Sequence, residues 1–101
     1  MKSKKQEKND VLTVLRQYKG EFEQKYGVTS IGIFGSVARG EAKAGSDIDV
    51  IVKMCKPDLY YMVHIKETLE AALHSQVDII HYRERMNTFL RNRINRDVIY
   101  A

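Results

Sequence analysis

A chain of 101 residues with a formal charge of +4 has room for one domain, one core and one site, and excludes a separate substrate-binding domain. Its 44% hydrophobic and 30% charged residues are ordinary for a soluble globular protein, and a single cysteine excludes an internal disulfide framework. With no apolar signal segment and no long apolar run, a cytoplasmic protein without a membrane role is expected.

The positive charge gathers at the two ends. Lys2, Lys4, Lys5 and Lys8 read as a mobile, solvated basic tail over residues 1–8, ahead of a single domain over 9–101. Arg83, Arg85, Arg91, Arg93 and Arg96 read either as a solvated helix face or as a partner surface.

Asn9 or Asp10 is expected to cap a first helix. Val11, Leu12, Leu15, Tyr18, Phe22 and Tyr26 then recur at three- and four-residue steps as one apolar stripe, and Gly27 stops it. Thr29 to Phe34 is short, β-branched and apolar, the pattern of a buried strand. Residues 35–46 form a loop, with Ser36 to Arg39 able to make a first helical turn. A second strand runs from Asp47 to Met54. Pro57 breaks the chain and Asp58 caps a helix reaching to His74, with Leu59, Met62, Ile65, Leu69, Ala72 and Leu73 as its apolar face and Val63 beside it. Gln76 to His81 is a third strand. A last helix spans Glu84 to Asn95 and carries Met86, Phe89, Leu90 and Ile94, while Val98 to Tyr100 fits either a helix end or a short extended segment.

The fold class is therefore α/β of the α+β kind, a small mixed sheet with helices packed on it in the order α-β-β-α-β-α. The second and third strands, joined by a long helix, should be parallel with a right-handed crossover; the first two, joined by a compact loop, should be antiparallel.

Chemistry concentrates between the first two strands. In an extended chain, Asp47 and Asp49 point to one face and Ile48 to the other. Two carboxylates on one face repel unless a cation lies between them, and Mg²⁺ takes a few carboxylates with phosphate oxygens and water. Gly35 has no Cβ, so a phosphate can approach its backbone closely; Ser36 stands where a strand gives way to a helical turn, whose N–H groups suit an anion. Asp78, an acid inside the apolar run Val77 to Ile80, is costly unless paired or metal-bound, and a neighbouring strand brings it within reach of Asp49. Three carboxylates can hold two metal ions, with Asp78 able to help remove a proton from an attacking hydroxyl. Arg39 is open between a phosphate, a partner and a bridge to Glu41. His64 and His74 show no ligand spacing with each other, His81 at the end of the third strand reads as a surface histidine, Tyr60 and Tyr61 read as packing or interface residues, and Cys55 reads as structural.

Gly35-Ser36, ten intervening residues and Asp47-Ile48-Asp49 resemble the signature of the minimal nucleotidyltransferases (MNT) of the DNA polymerase beta-type superfamily. The resemblance implies the nucleotidyltransferase fold, nucleotide phosphates at Gly35 and Ser36, and Mg²⁺ at Asp47, Asp49 and Asp78. Members of this size resemble the antitoxin half of HEPN/MNT toxin–antitoxin pairs. The implied activity is transfer of AMP from ATP to a tyrosine of a HEPN ribonuclease partner (AMPylation). Two other readings stay open: an antitoxin that masks its partner by binding alone, and nucleotidyl transfer to a small molecule by a homo- or hetero-oligomer. No direct nucleic-acid role is expected, because the chain has no room for a template-binding domain.

Overall fold

The structure, a computed structural model, describes residues 7–101. Residues 1–6 of the expected basic tail lie outside them. Helix α1 (Lys8–Tyr26) takes in Lys8, and its N-cap is Glu7 with no side-chain capping bond, so neither Asn9 nor Asp10 serves as the cap. Both already lie within its first turn. Gly27 ends the helix in the left-handed region, its N–H donating to the Glu23 and Phe22 carbonyls.

Strand β1 (Val28–Phe34) runs into a single helical turn, α2 (Gly35–Ala38). A loop leads to strand β2 (Ile48–Met54), which pairs antiparallel with β1. Asp58 caps helix α3 (Leu59–Leu73) as expected, its Oδ1 accepting from the Tyr61 N–H at 3.1 Å. Strand β3 (Val77–His81) then lies parallel to β2. Helix α4 (Thr88–Asp97) begins four residues later than Glu84, because the Asn87 side chain accepts from the Leu90 N–H and sets the first turn there. The ambiguous C-terminal segment is a two-residue strand, β4 (Ile99–Tyr100), antiparallel to β1. The sheet order is β3-β2-β1-β4, so the expected mixed sheet is present with α2 and β4 added to the expected sequence of elements.

Alternation along the strands sorts side chains onto two faces. Ile31, Ile33, Ile48, Val50, Val52 and Val77 meet Leu15 and Phe22 of α1 and Ile65, Leu69 and Leu73 of α3. On the other face, Phe34 and Ile51 meet Ile94 of α4, with Ile80, Met86 and Leu90 around them. Full burial of a side chain such as Ile94 contributes about 1.5–3 kcal/mol, so this one residue anchors α4 over the second face. Aromatic contacts tie α1 to α3: between ring centroids, Tyr26 lies 5.1 Å from Tyr61 and 6.3 Å from His64.

Two residues assigned to apolar faces are instead exposed, Leu59 at 79% and Phe89 at 82%, and Val63, set beside the α3 face, is exposed as well. At 100° per residue, Phe89 stands about 140° around α4 from Ile94, and Leu59 about 120° around α3 from Ile65. The three-and-four spacing caught them, but the buried stripe is narrower. Among the described residues, no helix is long and apolar enough to cross a membrane.

Candidate active site

The turn from β1 into α2 is built against the start of β2. Phe34 is the register partner of Asp49, and Gly35 follows with φ +73°. A Cβ at Gly35 would collide with the Asp49 carboxylate Oδ2. The glycine therefore serves two ends: it takes a left-handed backbone that an L side chain resists, and it lets the Asp49 carboxylate lie against the chain. Next to it stands Ser36, half-buried, in the opening turn of α2, where first-turn N–H groups have no intrahelical acceptor.

On its other side Asp49 is paired with Asp78 of β3. Adjacent strands lie about 4.8 Å apart, so two acids share one face of neighbouring strands. Asp47 is the last loop residue, one before β2, rather than its first strand residue. Burial pushes the Asp49 carboxyl above its ordinary range; the charge of Asp78 adds to this and that of Asp47 a little more, against Arg93 and Arg39. The order β1, β2, β3 thus sets Gly35-Ser36, Asp49 and Asp78 side by side across the sheet. Asp47 and Asp78 also line one open cleft of about 460 Å³ with Lys66, Glu70, Gln76 and Val77.

Arg39 is engaged elsewhere. Its Nε donates to Glu41 Oε2 at 3.0 Å and its Nη1 to Asp97 Oδ2 at 2.7 Å. The Asp97 side chain is only 5% exposed, and Arg96 foremost, with Arg39 assisting, holds its carboxyl below the usual range. Of the alternatives for Arg39, the bridge to Glu41 is present, and a second carboxylate from α4 joins it. Sequence reading missed Arg93 as a site residue. It lies on α4 beside the Ile94 anchor, near enough to act on the Asp49 charge, and forms no ion pair among the described residues. Its one sequence signal was its place before an apolar residue in an arginine-rich helix.

The family model described as "Polymerase beta, Nucleotidyltransferase" matches residues 16–101. The chain belongs to this nucleotidyltransferase family. A protein adenylyltransferase MntA of Thermococcus cleftensis is 34% identical to it over 93 residues, spanning 91% of this chain and 93% of the relative. A solved structure assigned as a minimal nucleotidyltransferase superposes with a TM-score of 0.73 at 30% identity, covering 93% of this chain and 95% of the other. At 22% identity the fold is also shared with a chain from the complex of a tri-AMPylated Shewanella oneidensis HEPN toxin with its MNT antitoxin, with a TM-score of 0.59 and coverage of 92% and 66%.

The nucleotidyltransferase's donor set fits a hard divalent cation. None of Asp47, Asp49 and Asp78 is in an ion pair or accepts a side-chain hydrogen bond among the described residues, so their oxygens are open and repel one another. Among those residues no three His, Cys, Asp or Glu are gathered closely enough to hold one ion together. Mg²⁺ takes one or two carboxylates and fills its shell with phosphate oxygens and water, so Asp49 and Asp78, register partners on neighbouring strands, are the pair that would hold it.

The raised Asp49 carboxyl has a signed consequence for stability. In the folded chain this group keeps its proton to a higher pH than in the unfolded chain, whose value stands near the ordinary 3.8. Its contribution is therefore most favourable below that value and is lost as pH rises through the raised folded one. The thermal midpoint of the metal-free protein, followed from mildly acidic to neutral pH, should fall less in Asp49→Asn than in the wild type. Parallel curves for the two would contradict this.

Proposed function

We propose that this nucleotidyltransferase is the antitoxin of a toxin–antitoxin pair. It transfers AMP from ATP to a tyrosine hydroxyl of a HEPN ribonuclease partner, in the cytoplasm, and so silences it. The observation that carries the reading is the contact of the Gly35 turn with the Asp49 carboxylate, with Asp78 paired on the far side. A phosphate-binding turn and an acid set are thereby adjacent. Support for the acceptor class comes from the relative named protein adenylyltransferase, and for the partner from the fold shared with a chain of a HEPN toxin–MNT antitoxin complex.

In this reading, Gly35 and Ser36 hold the triphosphate through backbone N–H groups and the serine hydroxyl. Asp47, Asp49 and Asp78 would hold Mg²⁺, as two ions, which when bound neutralises phosphate charge and eases ionisation of the acceptor hydroxyl. The acceptor oxygen attacks the α-phosphorus in line. A new P–O bond forms, the bond from the α-phosphorus to the bridging oxygen breaks, and pyrophosphate leaves. The acceptor proton passes to a carboxylate oxygen of Asp78, which is exposed and so open to an incoming hydroxyl. Catalysis of this kind is mostly positioning and charge stabilisation, which a 101-residue body can supply when the acceptor arrives on another molecule.

The position of the radiolabel separates nucleotidyl from phosphoryl transfer. With the partner and Mg²⁺, ATP labelled at the α-phosphate should label the partner, and ATP labelled at the γ-phosphate should not. Label from the γ-phosphate, or from neither, would refute the assignment.

A further inference from the structure

Strand β3 ends the sheet, and among the described residues no strand pairs with its outer edge. Two cavities lie end to end along that edge. The cleft already described includes Val77 and Asp78. The next three residues, Ile79, Ile80 and His81, line an apolar groove of about 510 Å³. Leu59 and Met62 of α3 form one wall; Met86 and Leu90 form the other. The groove thus begins at the residue after the third acid.

Three features of this edge go beyond a bland apolar surface. Leu59 stands at its rim 79% exposed, an unusual setting for a large apolar side chain at the mouth of a groove. The outward backbone groups of β3 alternate. The Val77 N–H is taken by Glu70 Oε2 at 3.0 Å, while the Gln76 and Val52 carbonyls bond across to the Ile48 and Tyr82 N–H groups between β3 and β2. By this alternation Ile79 and His81 present their backbone groups to the open edge. The rim also carries Arg83, which forms no ion pair among the described residues, and a His81 imidazole held below its ordinary pKa by burial and then by Arg83.

We propose that the outer edge of β3 is the docking track for the acceptor protein. An extended segment of the partner adds to the edge at Ile79 and His81. It sets an apolar side chain into the groove between Leu59 and Leu90, places an acidic residue at Arg83, and delivers its hydroxyl into the cleft at Asp78. This rests on the function proposed above and specifies how that site takes its protein substrate. Continuity decides for this occupant: residues two apart in a strand are about 6.5–7 Å apart, so an apolar side chain two to four residues from the acceptor reaches the groove while the hydroxyl reaches Asp78. Edge addition gives affinity through backbone bonds and specificity through alternate side-chain pockets.

The test measures the rate of AMP transfer against partner concentration for the wild type, Leu59→Asp and Arg83→Glu, with ATP binding measured separately on each. Leu59 and Arg83 are exposed, and a thermal melt of each variant confirms folding. Leu59→Asp is expected to raise the KM for the partner about tenfold or more, the usual scale for a lost interface anchor, and Arg83→Glu somewhat less, with the Kd for ATP unchanged. A partner KM unchanged in both variants would overturn the track while leaving the catalytic assignment standing. An equal loss of ATP affinity would also overturn it, since the effect would then lie at the nucleotide. No adduct even with the wild type would overturn the catalytic assignment and the track together.

Discussion

Asp49→Asn is expected to cut AMP transfer by roughly a hundred- to a thousandfold or more, while the metal-free protein becomes no less stable at neutral pH. The first effect follows from the place of Asp49, with the Gly35 turn on one side and Asp78 on the other. A bound metal stabilises transition-state charge by several kcal/mol, and each 1.36 kcal/mol is a factor of ten in rate. The second follows from the raised carboxyl: a half-buried anion facing two other acids is a cost to the folded chain, and the amide removes it. A core residue would lose both stability and activity when replaced, so the opposite signs mark Asp49 as a functional acid. Initial rates and thermal melts on the same preparations check this. A variant that keeps a tenth or more of wild-type activity would contradict it.

Gly35→Ala is expected to show the second-largest effect, and Gly45→Ala provides its control. Both glycines have positive φ, so both substitutions strain the backbone by about 1–2 kcal/mol. They differ in what the new methyl meets. At Gly45 there is nothing within 4 Å, whereas at Gly35 it meets the Asp49 carboxylate. Gly45→Ala should therefore lose about 1–2 kcal/mol of stability and little activity. Gly35→Ala should lose at least as much stability and, by displacing the acid, about a hundredfold in rate, as expected when a catalytic group moves by an ångström. Denaturant titrations and rates on the pair separate strain from displacement. Equal losses of activity in the two variants would show that the contact with Asp49 does not matter.

How far the sequence alone could reach depended on the range of the interactions. The α1 stripe, the Gly27 stop and the Asp58 cap were legible because each depends on residues within a turn or two of one another, and the parallel pairing of β2 with β3 because a long helix joins them. The pairing of Asp49 with Asp78 could be anticipated from the parallel neighbour, but Asp78 is exposed, so the expected cost of an acid inside an apolar strand does not arise. The start of α4 was misplaced because Met86 carries the apolar period but packs from the turn, while Asn87 sets the helix start. The bond from Arg39 to Asp97 joins residues 58 apart, and no local pattern announces it. Arg93 was hidden for the same reason: its approach to Asp49 depends on how α4 lies across the sheet. The two-residue β4 is too short to carry any alternation.

The acids beside the Gly-Ser turn are expected to transfer AMP to a protein partner. Intact-mass measurement tests it most directly: the partner is incubated with ATP, Mg²⁺ and either the wild type or the double variant Asp47→Asn/Asp49→Asn. The wild type should add one or more AMP units to the partner, and the folded double variant should add none. An unmodified partner with the wild type, or the same adduct with both proteins, would contradict the account.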